Sequence, residues 1–261
     1  MTNPTAPEVR YEVTAGIARL TIDREAARNA LSPAVIKGLH AGLQRAEADP
    51  AVRCLVLTGG GERVFCAGGD LGGMADGFLD GHDGRRAYGG LLLAFQQLKK
   101  PTVARVNGHA LAGGLGLVLA CDLAVSTDSA GFGLPEIDRG LFPMMVLAFL
   151  QRHVGRKRAL ELLLTGDRLT AARALEWGLV NQIVPAAELD TATDALANKL
   201  GGKSMAILSL GRRSFFTAED LPLAQSLEFL AAQLSLNVLA EDAAEGVTAF
   251  LQKRPAKWND R

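Results

Sequence analysis

The sequence predicts an α/β fold built around a parallel sheet. Three observations lead there. The run Cys54-Leu55-Val56-Leu57-Thr58 is continuously apolar, as a strand buried on both faces requires. Two glycine-rich turns follow predicted strands. Strand, turn and helix then recur at a spacing that suits parallel crossovers.

The elements can be justified in order. Residues 1–8 read as a disordered lead-in. Val13, Ile17, Leu20 and Ile22 predict two strands joined by a turn at Ala15-Gly16. Ser32-Pro33 opens a helix, serine as N-cap and proline at the first helical position. Val35, Ile36, Leu39 and Leu43 line one side of it, and it ends near Asp49-Pro50. The strand at 54–58 stops at Gly59-Gly60-Gly61. Residues 72–90 are glycine-rich with mixed charge and read as a mobile loop entering a helix that lasts to about Lys99. Thr102-Val103-Ala104-Arg105-Val106 is the next strand, followed by a glycine turn, a helix to about Ala120 and a strand at 122–126. After Pro143 the pattern is almost wholly helical, with helices expected over 156–164, 171–177, 188–200, 222–239 and 242–252. No internal repeat or low-complexity linker is visible.

A chain of 261 residues with 48% hydrophobic and 21% charged residues fits a soluble globular enzyme with a large core. Its formal net charge is zero, which leaves no basic surplus for nucleic acid and little repulsion against self-association. The three cysteines, Cys54, Cys66 and Cys121, show no CxxC spacing and fit a reducing, cytoplasmic compartment. The N-terminus lacks a basic and an apolar region, so no signal peptide is expected, and no run reaches the length of a membrane span. GxxxxGK[ST], the GxGxxG dinucleotide fingerprint, HExxH and GxSxG are all absent, and no metal site is expected.

The chemistry is expected in three segments. The first is Val64-Phe65-Cys66-Ala67-Gly68-Gly69-Asp70-Leu71. The second is Asn107-Gly108-His109-Ala110-Leu111-Ala112-Gly113-Gly114-Leu115-Gly116. Each is either a tight turn that needs small residues or a place where bare N–H groups can meet a substrate. Two such donors aimed at one oxygen form an oxyanion hole, where one donor is worth about 2.7–4 kcal/mol of transition-state stabilisation. The third segment, Phe132-Gly133-Leu134-Pro135-Glu136-Ile137, sets a carboxylate among apolar neighbours, where burial would raise its pKa into the range useful for proton transfer. Asp138 is a candidate second acid. Asp70 reads as a carboxylate that stabilises its turn. His109 reads as structural or pocket-lining, and Cys66 as a small buried hydrophobe.

With these segments the chain resembles the crotonase, or enoyl-CoA hydratase/isomerase, superfamily from about residue 9 to the C-terminus. The resemblance implies a spiral of ββα units with a helical C-terminal trimerisation region. It divides the chain into a core at 1–200 carrying the acyl-CoA site and a lobe at 201–261 that makes a homotrimer or a dimer of trimers. It implies oxyanion donors at Gly69, in the family's AGxD segment, and at Gly113, in its NG-x-A-x-GGG segment. Ala112 replaces the first glycine of the latter. Glu136, in the xPE segment, would transfer the proton. CoA would lie along Ala27, Arg28, Ala67, Gly68, Asp70 and Leu71, and Met144 would line the acyl pocket. Phe250 and Lys253, in an ending that resembles EG-x-x-AF-x-x-KR, would meet adenine and ribose phosphate, often from a neighbouring subunit. No cofactor is implied, CoA being part of the substrate.

One departure matters. Classic hydratases of this family use a second glutamate on the helix after the second glycine turn, and here that position is Gly116, although some hydratases of the superfamily also carry a non-acid there. Family frequency puts enoyl-CoA hydration narrowly first. The missing acid favours the single-glutamate pattern of Δ3,Δ2-enoyl-CoA isomerases. Decarboxylation or thioester hydrolysis on the same platform is a further possibility. The opposing reading is a non-catalytic acyl-CoA binding relative, in which Glu136 would face solvent and be salt-bridged away from the glycine turns.

Overall fold

The computed structural model describes residues 7–70 and 78–261, with side chains for all of these except 78–82. The expected position of Leu71 therefore lies outside the described residues. The N-terminal hairpin pairs β1 (Val9–Thr14) with β2 (Ile17–Ile22) across a turn in which Ala15 and Gly16 both take positive φ. Helix α1 (Pro33–Ala48) starts where Ser32 predicts: the Ser32 hydroxyl accepts the N–H of Val35 at 3.1 Å. Its buried face carries Val35, Ile36, Leu39, Leu43 and Ala46. Fully burying a leucine or valine side chain is worth about 1.5–3 kcal/mol, so this face fixes the helix more firmly than its cap does.

The chain then makes three similar units, each with two strands and a helix. They are β3 (Cys54–Gly59), β4 (Val64–Cys66) and α2 (Phe78–Gln97); β5 (Thr102–Val106), β6 (His109–Leu111) and α3 (Gly113–Ala120); and β7 (Leu123–Thr127), β8 (Gly131–Gly133) and α4 (Met144–His153). Within each unit the first strand joins one sheet and the second joins another. The result is the ββα spiral that was expected. Next come α5 (Arg156–Thr165), β9 (Arg168–Thr170), α6 (Ala171–Trp177), β10 (Gln182–Val184) and α7 (Leu189–Gly201). The larger sheet has the order β1-β2-β3-β5-β7-β10 and is parallel from β2 onward; the smaller has the order β4-β6-β8-β9 with β9 antiparallel. Phe65, Phe95, Phe132, Leu55 and Leu57 lie fully buried between the layers.

Helices α8 (Met205–Glu219), α9 (Leu223–Asn237) and α10 (Glu241–Leu251) complete the chain. Arg212 of α8 ties them to the core. Its guanidinium is paired with Asp122 at 2.8 Å and donates to the carbonyls of Phe95, Gln96 and Leu98 at the end of α2. Helix α9 buries no residue in the single chain, and Leu223, Leu227 and Leu234 are all exposed.

Three readings of the sequence are corrected. The segment 72–90 is not a loop for most of its length, because α2 begins at Phe78. Its glycines lower helix propensity, but Tyr88, Leu91, Leu92 and Phe95 recur at helical spacing and bury against the core, and this packing prevails. The region after Pro143 contains two strands, β9 and β10, and β6 follows Asn107-Gly108 directly; strands of three residues are too short to show alternation. Helix α8 was also not foreseen.

Candidate active site

The strands β4, β6 and β8 are parallel neighbours, with Cys66 opposite Ala110 and Leu111 opposite Gly133. Their three following turns therefore leave the same edge of the small sheet. Those turns are Ala67–Asp70, Ala112–Gly114 and Leu134–Glu136, the three segments singled out in the sequence. Convergence at the C-terminal ends of parallel strands is where open α/β folds bind their ligands.

The first turn is held from below. Leu31 bridges it, its N–H donating to the Gly68 carbonyl at 2.8 Å and its carbonyl accepting from Asp70 at 3.2 Å. The Gly69 N–H takes no part in this ladder, and a Cβ on Gly69 would meet nothing within 4 Å. Ala67 donates to the carbonyl of Arg28 at 3.1 Å, so Ala27 and Arg28 run beside the turn. Arg28 is exposed and has φ +54°. Asp70 is engaged by the half-buried Arg24 at 3.1 Å, in keeping with a structural carboxylate, and Arg24 also holds Glu8 at 2.8 Å.

The second turn is braced by a buried amide. Asn107 donates to the Gly61 carbonyl at 2.8 Å and accepts the Gly59 N–H at 3.1 Å. Gly108 passes so close to the backbone of Arg63 and Val64 that no side chain fits. His109 accepts the Gly131 N–H through Nδ1 at 2.9 Å, so it is a structural residue whose ring proton sits on Nε2. Ala112 donates to the Gly133 carbonyl at 2.9 Å and has φ +53°, ψ −128°. For an L-residue this conformation is strained, and glycine would adopt it freely. The following residue, Gly113, is the first of α3. Neither its N–H nor that of Gly69 has a protein acceptor among the described residues. A Cβ built on Gly68 would lie 3.0 Å from the Gly113 nitrogen, so the two turns abut.

The third turn brings in the acid. Glu136 is half-buried, and its Oε2 is buried without a hydrogen-bond partner among the described residues. Burial pushes its pKa up, against the smaller opposing effects of its own backbone N–H and of Arg139. Arg139 is exposed and directs its guanidinium to the Pro135 carbonyl at 2.8 Å. Asp138 is exposed and its carboxylate faces the Gly166 turn.

One residue of the site was missed. Tyr88, on α2, is 7% exposed and donates its phenolic proton to the Gly113 carbonyl at 2.7 Å. Its hydroxyl fills the space in front of Gly116, so a Cβ there would overlap it; the same Cβ would stand 3.0 Å from Cγ2 of Val146. Tyr88 also lies within electrostatic reach of Glu136, and burial holds its phenol well above the usual value. The apolar stripe Tyr88, Leu91, Leu92, Phe95 could have marked the residue as inward-facing, though not its partner.

The remaining expected contacts are surface residues in the single chain. Met144, at the start of α4, is 67% exposed. Phe250 is 82% exposed at the end of α10, and Lys253 is exposed just beyond it. All three cysteines are free and buried, and burial raises the Cys66 thiol to about 12. No described helix is long and apolar enough to cross a membrane.

Residues 12–261 match the family model described as enoyl-CoA hydratase/isomerase. Over 249 residues the chain is 35% identical to the enoyl-CoA hydratase EchA19 of Mycobacterium tuberculosis, covering 93% of this chain and 92% of that protein. It is 32% identical to the carnitinyl-CoA dehydratase of Proteus mirabilis over 252 residues, covering 94% and 95%. Among solved structures, an enoyl-CoA hydratase from Mycobacterium smegmatis superposes with a TM-score of 0.93 at 34% identity, covering 97% and 99%.

Proposed function

Because the chain belongs to the enoyl-CoA hydratase/isomerase family, we propose that it is an enzyme that forms and reprotonates the enolate of an acyl-CoA thioester, with Glu136 as the proton-transferring carboxylate. The observation that carries this reading is the buried Oε2 of Glu136 at the sheet edge where the Gly69 and Gly113 N–H groups lie, none of the three having a hydrogen-bond partner among the described residues. A buried carboxylate oxygen without a donor is costly in a structural role, whereas a proton-transfer group needs that freedom. A non-catalytic binding relative would have no use for it.

The reaction we favour is double-bond isomerisation of a 3-enoyl-CoA. The Glu136 carboxylate removes a Cα proton, and the electron pair moves through Cα into the thioester carbonyl. The Gly69 and Gly113 N–H groups hold the resulting oxyanion, assisted by the positive end of α3. Protonated Glu136 then returns the proton to Cγ, and the double bond comes to rest between Cα and Cβ. One carboxylate suffices, and no water is consumed. Gly116 supports this choice over hydration. Hydration is the second reading, supported by the names of relatives such as the hydratase EchA19 and the carnitinyl-CoA dehydratase. It would require Glu136 both to activate water for attack at Cβ and to manage the proton at Cα.

In this reading CoA runs along Ala27, Arg28, Ala67 and Asp70, with Arg28 near the phosphates. Met144 borders the acyl chain. Phe250 and Lys253, exposed in one chain, would complete the nucleotide site of a neighbouring subunit in a trimer or dimer of trimers. CoA enters with the substrate, so no further cofactor is invoked, and three buried free thiols suit the cytoplasm.

The test is a pair of assays on the pure protein, one following the appearance of conjugation from a 3-enoyl-CoA and one its disappearance from a 2-enoyl-CoA. Isomerisation faster than hydration is expected. Hydration alone would favour the second reading, and neither activity would overturn the assignment.

A further inference from the structure

We infer that Tyr88 is a specificity-determining residue, whose hydroxyl occupies the space in front of Gly116 and keeps a water from being held there. The inference deepens the functional reading above and rests on it. Position 116 lies on the buried α3, and any side chain there must displace the Tyr88 hydroxyl. The phenol is fixed on both sides. Its proton is given to the Gly113 carbonyl at 2.7 Å, and its ring carbon Cζ lies 3.4 Å from where a Cβ on Gly113 would be. The residue is thus packed against the peptide that follows one expected oxyanion donor, within electrostatic reach of the proton-transferring acid.

The chemistry follows from what a phenol in that place can do. Its one proton is committed to Gly113. Burial among apolar neighbours keeps it from ionising, so it cannot replace a second carboxylate as a base for water. It presents oxygen lone pairs where a hydratase would need an activated nucleophile. The dienolate formed at Glu136 then either takes the proton back at Cα, regenerating substrate, or takes it at Cγ to give the isomerised product. With the hydroxyl removed, the Gly113 carbonyl loses its donor and can accept from a water entering beside it, with more room in Tyr88→Ala than in Tyr88→Phe. From there water can add to a 2-enoyl thioester: its oxygen bonds to Cβ, its proton goes to Glu136, and protonated Glu136 delivers a proton to Cα.

The experiment is the product partition of enoyl-CoA, hydroxyacyl-CoA against isomerised enoyl-CoA, in wild type, Tyr88→Phe and Tyr88→Ala. The Phe variant keeps the ring and guards against loss of fold in the Ala variant. The hydration-to-isomerisation ratio is expected to rise at least about fivefold in Tyr88→Phe and further in Tyr88→Ala. A merely structural role would lower both activities together and leave the ratio unchanged. An unmoved ratio in a folded Tyr88→Phe variant of an active wild type would overturn this inference alone. A wild type inactive on both substrates would overturn the functional reading and this inference with it.

Discussion

The Tyr88 hydroxyl donates to the carbonyl of Gly113 at 2.7 Å while its oxygen blocks the space above Gly116. A residue from α2 thus stands where the third turn of the spiral faces the second. Of the two carboxylates in the converging turns, Asp70 is held by Arg24 while Glu136 keeps one oxygen without a hydrogen-bond partner among the described residues, and the consequences can be measured.

Glu136→Gln should lower turnover by about 10²–10⁴, the usual worth of a positioned acid–base group, with little effect on CoA affinity. Steady-state kinetics and calorimetric titration with a saturated acyl-CoA check the two halves. Unchanged turnover would remove Glu136 from the reaction.

The pH dependence has a defined sign. Burial raises the Glu136 pKa in the folded protein, and the base must be ionised to act. Activity should therefore fall on the acid side through a single ionisation placed above that of an ordinary glutamate. Stability runs oppositely: the contribution of this group is complete below the unfolded pKa and is lost as pH rises through the folded value. Thermal melting should accordingly find Glu136→Gln more stable than wild type at about pH 8, and that advantage should vanish near pH 4.

Ala112→Gly should stabilise the fold. The conformation φ +53°, ψ −128° costs alanine about 1–3 kcal/mol, and glycine returns about 0.5–1 kcal/mol of that through its looser unfolded chain. A net gain of about 1 kcal/mol should raise the urea midpoint. A lower midpoint would mean that the methyl group's packing against Gly68 outweighs the strain.

The bare face of α9 should be covered in solution. Light scattering should give a mass that is a multiple of three chains, and Leu227→Glu, in the middle of that face, should shift it to the monomer. A monomeric wild type would contradict the expected assembly.

Much of this was legible in the sequence. Ser32-Pro33 marked the start of α1 because a cap is a local signal. Cys54–Gly59 declared itself as a strand because burial on both faces leaves a continuous apolar run. The turn glycines and Glu136 stood out because their segments resemble those of the family. What stayed hidden depended on contacts between distant parts of the chain. The strands Arg168–Thr170 and Gln182–Val184 are defined by their partners rather than by their own pattern. The glycines at 84, 89 and 90 concealed a helix that burial holds in place. Gly116 could be read as a missing acid, but only folding reveals that a tyrosine 28 positions earlier occupies its place.

The anchorage of Arg212 extends beyond its ion pair. The carbonyls it grips close the last turn of α2, and Tyr88 sits two to three turns earlier on that helix. The helices with the bare apolar face are thus strapped to the same rod that carries the phenol, so one long element joins the surface expected to meet other subunits and the residue that fills the space in front of Gly116.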